Sequence, residues 1–127
     1  MKTLLGIRPT KLIIIGRPIS KKNSKQVFWR GGKPVVISSS AYRKFEKSAL
    51  AQIPPFKTQK GDLVATYRFF IKGRYRVDLD NLIAGINDIM EKAGVIENDN
   101  NIMEILATKI GGCKDWKTII TLEIDTP

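Results

Sequence analysis

The chain has no histidine, a single cysteine and no apolar run approaching the ~20 residues that cross a bilayer. Each absence removes a class of function. Without histidine, a histidine general base, a His-ligated zinc and a Ser-His-Asp triad are all excluded within the chain. The lone Cys113 forms no internal disulfide, as expected of a protein in a reducing cytoplasm. LIIIG, from Leu12 to Gly16, has only the length of a buried strand. No apolar leader with a small-residue cleavage site opens the sequence, so neither membrane insertion nor secretion is expected.

Acid is scarce too, but only in one half. Residues 1–60 hold fourteen Lys or Arg against one acid, Glu46, a balance of +13; residues 61–127 hold eight against eleven, a balance of −3. The total of +10 therefore hides a basic first half and a second half that carries an acidic site. A polyanion held by one and cut at the other accounts for both. A small basic scaffold for an acidic partner would leave the acidic cluster unexplained. With 127 residues, 43% of them hydrophobic and 27% charged, residues 1–127 are expected to form one domain around one core.

Along the chain, Lys11 to Pro18 (KLIIIGRP) reads as a strand ending at a turn, and Ser20 to Lys25 (SKKNSK) as a basic loop. Gln26–Trp29 and Pro34–Ser38 bracket Arg30-Gly31-Gly32-Lys33, which predicts a hairpin. Basic residues interleave there with Phe28 and Trp29, a mixture suited to phosphate contact and base stacking; one of the two aromatics is expected to turn inward as core. Ser38, Ser39 and Ser40 supply N-caps for a helix over about Ala41 to Gln52, which Pro54-Pro55 ends. Leu63 to Lys72, rich in β-branched and aromatic residues, is the clearest strand, with a bend at Gly73. Ile102–Ile110 and Trp116–Ile124 read as a closing hairpin. The sum is an α+β fold, a mixed sheet of about five strands with two helices. Helices on one face leave the other needing cover.

The most informative stretch runs from Tyr75 to Glu104. Asp78 and Asp80 alternate, which in extended backbone puts both carboxylates on one face. Leu82, Ile83, Ile86, Ile89, Met90 and Ala93 then recur at helical spacing, with Asp80 or Asn81 as N-cap and Gly94 as stop. A second polar cluster follows: Glu97, Asn98, Asp99, Asn100 and Asn101. If the next strand packs beside the helix start, Asp99 returns close to Asp78 and Asp80. Three such carboxylates repel unless a cation sits between them, and oxygen ligands without His or Cys suit magnesium or manganese. The same pattern also fits a capped turn and a solvated loop, and the residues alone leave both open. An EF-hand does not fit, because the loop after Asp99 lacks its glycine.

Asp-x-Asp-Asn, a helix with an Asp eight positions on, Ala-Gly-Val-Ile and a following acidic position together resemble the RusA-type Holliday-junction resolvases. By position, Asp78, Asp80 and Asp99 match that family's metal-binding acids, Asp88 the acidic position within its helix, and Gly94 the turn after it. Two departures stand out. The family usually carries Lys four residues after the second Asp, where this chain has Ala84, and its Asp-Asp pair is here Asn98-Asp99.

The resemblance implies a magnesium-dependent endodeoxyribonuclease, with manganese as the alternative ion, that nicks four-way DNA junctions in pairs as a homodimer. It implies Asp78, Asp80, Asp99 and Asp88 as catalytic residues, the first three on metal. Lys21, Lys22, Lys25, Arg30, Lys33, Arg74 and Arg76 are the expected DNA contacts, with Arg74 or Arg76 standing in for the missing lysine. Ala84 also admits an alternative: a non-cleaving junction-binding protein of the same fold.

Overall fold

The computed structural model describes residues 9–22, 25–74 and 76–125. Its elements are β1 (Thr10–Ile15), β2 (Lys25–Arg30), β3 (Lys33–Ser38), α1 (Ser40–Gln52), β4 (Leu63–Lys72), α2 (Leu79–Lys92), a 3₁₀ turn (Asp99–Asn101), β5 (Ile102–Cys113) and β6 (Lys117–Ile124). Four strands form one mixed sheet in the order β1-β6-β4-β5, and β2-β3 is a separate two-stranded sheet. The expected sheet of about five strands is thus four plus a detached hairpin.

β4 takes the centre because it is the longest strongly apolar strand. Leu63, Ala65, Tyr67, Phe69 and Ile71 all point to the helices and are buried. They share one core with Phe45 and Ala49 of α1 and Leu82, Ile86, Ile89 and Met90 of α2. Both helices therefore cover one face. The other face carries Ile13, Ile15, Phe70 and Leu106, with Ile15 52% and Leu106 65% exposed.

The expected closing hairpin is not formed. β5 pairs parallel with β4, and β6 pairs antiparallel with the other edge of β4. Two strands next to each other in sequence are separated by the more apolar one, which gains two ladder partners in the middle of the sheet. β4-α2-β5 is then a crossover unit, in which the helix runs back along the sheet before β5 starts.

Local chemistry sets the ends. Ser39 caps α1 by accepting the Tyr42 N–H. Gly94, with φ +75°, ends α2: its N–H reaches the Glu91 carbonyl while the Val95 N–H reaches that of Met90. That pair of bonds satisfies two of the carbonyls a helix leaves open, and a left-handed residue is required to make it. In the hairpin, Gly31 and Gly32 both have positive φ, the turn whose twist matches the strands. Neither aromatic there is core: Phe28 is 37% and Trp29 72% exposed, because among the described residues no second layer packs on the detached hairpin to bury them.

Candidate nuclease site

The segment between β4 and α2 positions the first two acids. α2 begins two residues earlier than its sequence suggests, with Asp78 rather than Asp80 or Asn81 as N-cap. Asp80 therefore lies in the first helical turn, not in extended backbone, where its charge is favoured by the positive end of the helix. Asp78 has the backbone of a capping residue (φ −70°, ψ 135°), yet its carboxylate makes no cap hydrogen bond. Both carboxylates are exposed. A carboxylate left out of the cap it is placed to make has its oxygens available for another partner.

Asp78 lines a cleft of about 590 Å³ with Arg17, Arg76, Val77, Asn81 and Lys109. Three cations and one carboxylate thus share one polar depression. Lys109 is fixed there, since its Nζ donates to the Val77 carbonyl at 3.0 Å, one residue before Asp78. Arg17 comes from the segment after β1, where its guanidinium also lies 5.8 Å from the Trp116 ring centre. Of the two arginines expected to replace the missing lysine, Arg76 lines the cleft, whereas Arg74 lies exposed in the turn after β4.

Asp99 is elsewhere. The parallel register aligns Ile102, the first residue of β5, with Leu63, the first of β4. Asp78 follows the far end of β4, so the fourteen residues of α2, about 20 Å, separate the two sites. Asp99 sits instead by the C-terminal half of α2, where its backbone N–H donates to the Glu91 carboxylate. Burial, then the charges of Asp99 and Asp88, raise the Glu91 pKa above the usual carboxylate range. Asp88 and Glu91 line a second groove with Lys21, Tyr42, Glu46, Lys92 and Glu97. Among the described residues, no group of three or more Asp, Glu, Cys or His stands close enough to hold a metal ion. The closure of Asp99 onto Asp78 and Asp80 within one chain is not what this topology makes.

Asp88 is occupied. Its Oδ2 accepts the backbone N–H of Lys21 at 3.0 Å. Deeper in the same helix, buried Asn87 accepts the Tyr67 hydroxyl. Burial, the larger effect, and the charge of Asp99 push the Tyr67 pKa well above its ordinary value, although the Asn87 bond works the other way. This tyrosine is a structural tie between sheet and helix, protonated at any physiological pH.

The expected DNA contacts fall on two surfaces. Arg30 and Lys33 face each other beside the hairpin turn, both exposed, and Lys21 and Lys22 are exposed in the loop before it. The side chain of Lys25, residues 23 and 24 of the basic loop, and Tyr75 lie outside the described residues. Sequence reasoning missed Arg17 and Lys109. Only the parallel pairing of β5 carries Lys109 beside α2, and the hairpin expected from the sequence would have placed it elsewhere.

The family model described as "Endodeoxyribonuclease RusA" matches residues 16–123, which include every residue of the cleft. A protein of Aquifex aeolicus (strain VF5), named "Crossover junction endodeoxyribonuclease RusA", is 31% identical over 97 residues, covering 72% of this chain and 73% of the relative. The chain belongs to the RusA family of endodeoxyribonucleases.

Proposed function

We propose that the protein is a magnesium-dependent resolvase that nicks four-way DNA junctions at the cleft around Asp78. The observation that carries this reading is the exposed Asp78 carboxylate, free of any cap bond, in one cleft with Arg17, Arg76 and Lys109, with exposed Asp80 two residues on in the first turn of α2. Magnesium is bound in many phosphoryl-transfer sites by only one or two carboxylates, with water and phosphate completing the shell. The Asp78–Asp80 pair fits that demand, and manganese has the same ligand preferences. When bound, the ion lowers the pKa of a water and offsets charge on the scissile phosphate. The chain's own cations do the rest: Arg17, Arg76 and Lys109 draw the DNA backbone into the cleft and stabilise charge that develops on the phosphate oxygens. With three cations present, the lysine absent at Ala84 has substitutes.

Asp99 belongs to this site through a homodimer. A twofold partner is the symmetry a four-way junction presents, and it gives each cleft access to a third carboxylate, the partner subunit's Asp99. The sheet face opposite the helices, with Ile13, Ile15 and Leu106 exposed among the described residues, supplies apolar surface for such an assembly. Exposed Trp29, Phe28, Arg30 and Lys33 on the hairpin, with Lys21 and Lys22, serve as the DNA-gripping surface, by phosphate contact and stacking on unpaired bases. None of the described helices is long and apolar enough to cross a membrane, and a reducing cytoplasm suits the single thiol and a DNA substrate.

The test uses a synthetic four-way junction with and without magnesium. Asp80→Asn should abolish cleavage and keep binding, because it removes a charge the cation needs while leaving the basic surface whole. Asp99→Asn should also be inactive. Mixing the two variants so that subunits exchange should restore nicking at one site per heterodimer, since one cleft then regains Asp78, Asp80 and an intact Asp99. No restoration would refute the shared site. Wild-type protein that binds junctions but cuts none at any magnesium or manganese concentration would instead establish the non-cleaving reading that Ala84 admits.

A further inference from the structure

Residues Arg17 to Lys21 cross α2 as a strap, held at two points three residues apart on the helix. At the first, Gly85 has the Ile19 backbone directly above it: a Cβ there would lie 3.0–3.1 Å from its C, N and O atoms. At the second, the Asp88 carboxylate accepts the Lys21 N–H at 3.0 Å. Pro18 and Ser20, on either side of Ile19, are buried, and the strap also lines a small cavity with Val77 and Asn81. Its leading residue is Arg17, which lines the Asp78 cleft. Asp88 is about three helical turns from Asp78, roughly 15 Å at the helical rise, so it has no direct access to that cleft.

Resting on the nuclease reading for what the cleft does, we propose that Asp88 is a positioning residue: its carboxylate and the bare backbone of Gly85 clamp the strap to α2 and so deliver Arg17 to the DNA phosphate. The physical reason is length and freedom. On the β1 side the strap is tied by the Gly16 N–H, which donates to the Trp116 carbonyl at 3.0 Å. The clamp at Ile19 and Lys21 ties the other side, so the Arg17 backbone is held from both directions and less of its freedom is left to be lost when DNA arrives. What Asp88 needs for this is an acceptor oxygen at one place, not a charge. A metal ligand or a proton-transferring acid would need the carboxylate itself.

That difference makes the clamp testable with Asp88→Asn and Asp88→Ala, read by amide hydrogen exchange at Lys21 and by junction cleavage. The asparagine variant keeps an acceptor oxygen and should stay within about threefold of wild type in both, well inside the tenfold worth of one bond to a charged group. The alanine variant should exchange the Lys21 amide about tenfold faster and lose about tenfold in kcat/KM, the factor such a bond carries. The magnesium concentration for half-maximal rate should not move in either. Gly85→Ala, which strengthens the helix itself, should lower cleavage like Asp88→Ala by lifting the strap. If Asp88→Asn is as inactive as Asp88→Ala while Lys21 stays protected, charge is what matters and the clamp is overturned. Equal Lys21 exchange in all forms, or an unaffected Gly85→Ala, overturns it too. Wild-type protein that cuts no junction refutes the nuclease reading instead, and the exchange measurement still decides the clamp.

Discussion

Replacing Arg30 and Lys33 by alanine should change how junction affinity depends on salt, while replacing Trp29 should not. The two cations are paired across the Gly31–Gly32 turn and exposed, so neither substitution disturbs the core. Each phosphate contact on duplex DNA contributes about −0.9 to the slope of log K against log salt. Losing two contacts should make the slope about 1.8 shallower, so the gap between wild type and variant narrows about twelvefold from 50 to 200 mM salt. Trp29 is 72% exposed, and loss of its stacking on a base should cost about 1–3 kcal/mol, roughly five- to 150-fold in Kd, by the same factor at every salt. Fluorescence anisotropy of a labelled four-way junction, in EDTA to prevent cutting, measures both. If the double variant keeps the wild-type slope, the hairpin does not lie on phosphates. If Trp29→Ala changes the slope, its effect is not stacking.

Further expectations concern the cleft and the core. Lys109→Met should lower kcat on junctions by about ten- to a hundredfold while changing Kd by only a few fold, since a positioned cation acts chiefly on developing charge; an equal loss in both would make Lys109 a binding residue only. Ala84→Lys should then raise the rate by less than about tenfold, the worth of 1.4 kcal/mol, because the cleft already has three cations; a larger gain would mean those cations do not stand in for the lysine. Tyr67→Phe removes the hydroxyl bonded to buried Asn87, at a cost of about 1–3 kcal/mol. For 127 residues that lowers Tm by roughly 4–11 °C, and an unchanged melting curve would show the tie to be dispensable.

Much of the fold was legible because it is written in local chemistry. The Leu63–Lys72 strand alternates between a buried and an outer row, α2 repeats its apolar residues at helical spacing, and Gly94 and Gly31-Gly32 are demanded by positive φ. The Asp-x-Asp-Asn motif, the charge asymmetry and the family resemblance are equally properties of the linear chain. So is the exclusion of histidine chemistry.

Strand partners were not legible, because the hydrogen bonds that join strands are the same whichever strands are joined. β5 and β6 look like a hairpin until β4, the strand with most apolar surface to bury, is placed between them. Everything non-local about the site follows from that one choice. The parallel β4–β5 pairing sends Asp99 to the far end of α2 and brings Lys109 to the Val77 carbonyl, and among the described residues the apolar outer face stays uncovered. Likewise, the contact of Ile19 with Gly85 joins residues distant in sequence, and it turns Asp88 from an apparent active-site acid into the anchor of a strap. The sequence determined which chemical groups the protein has and the local conformation around each. Which of them meet was decided by how the sheet was ordered to bury its most apolar strand.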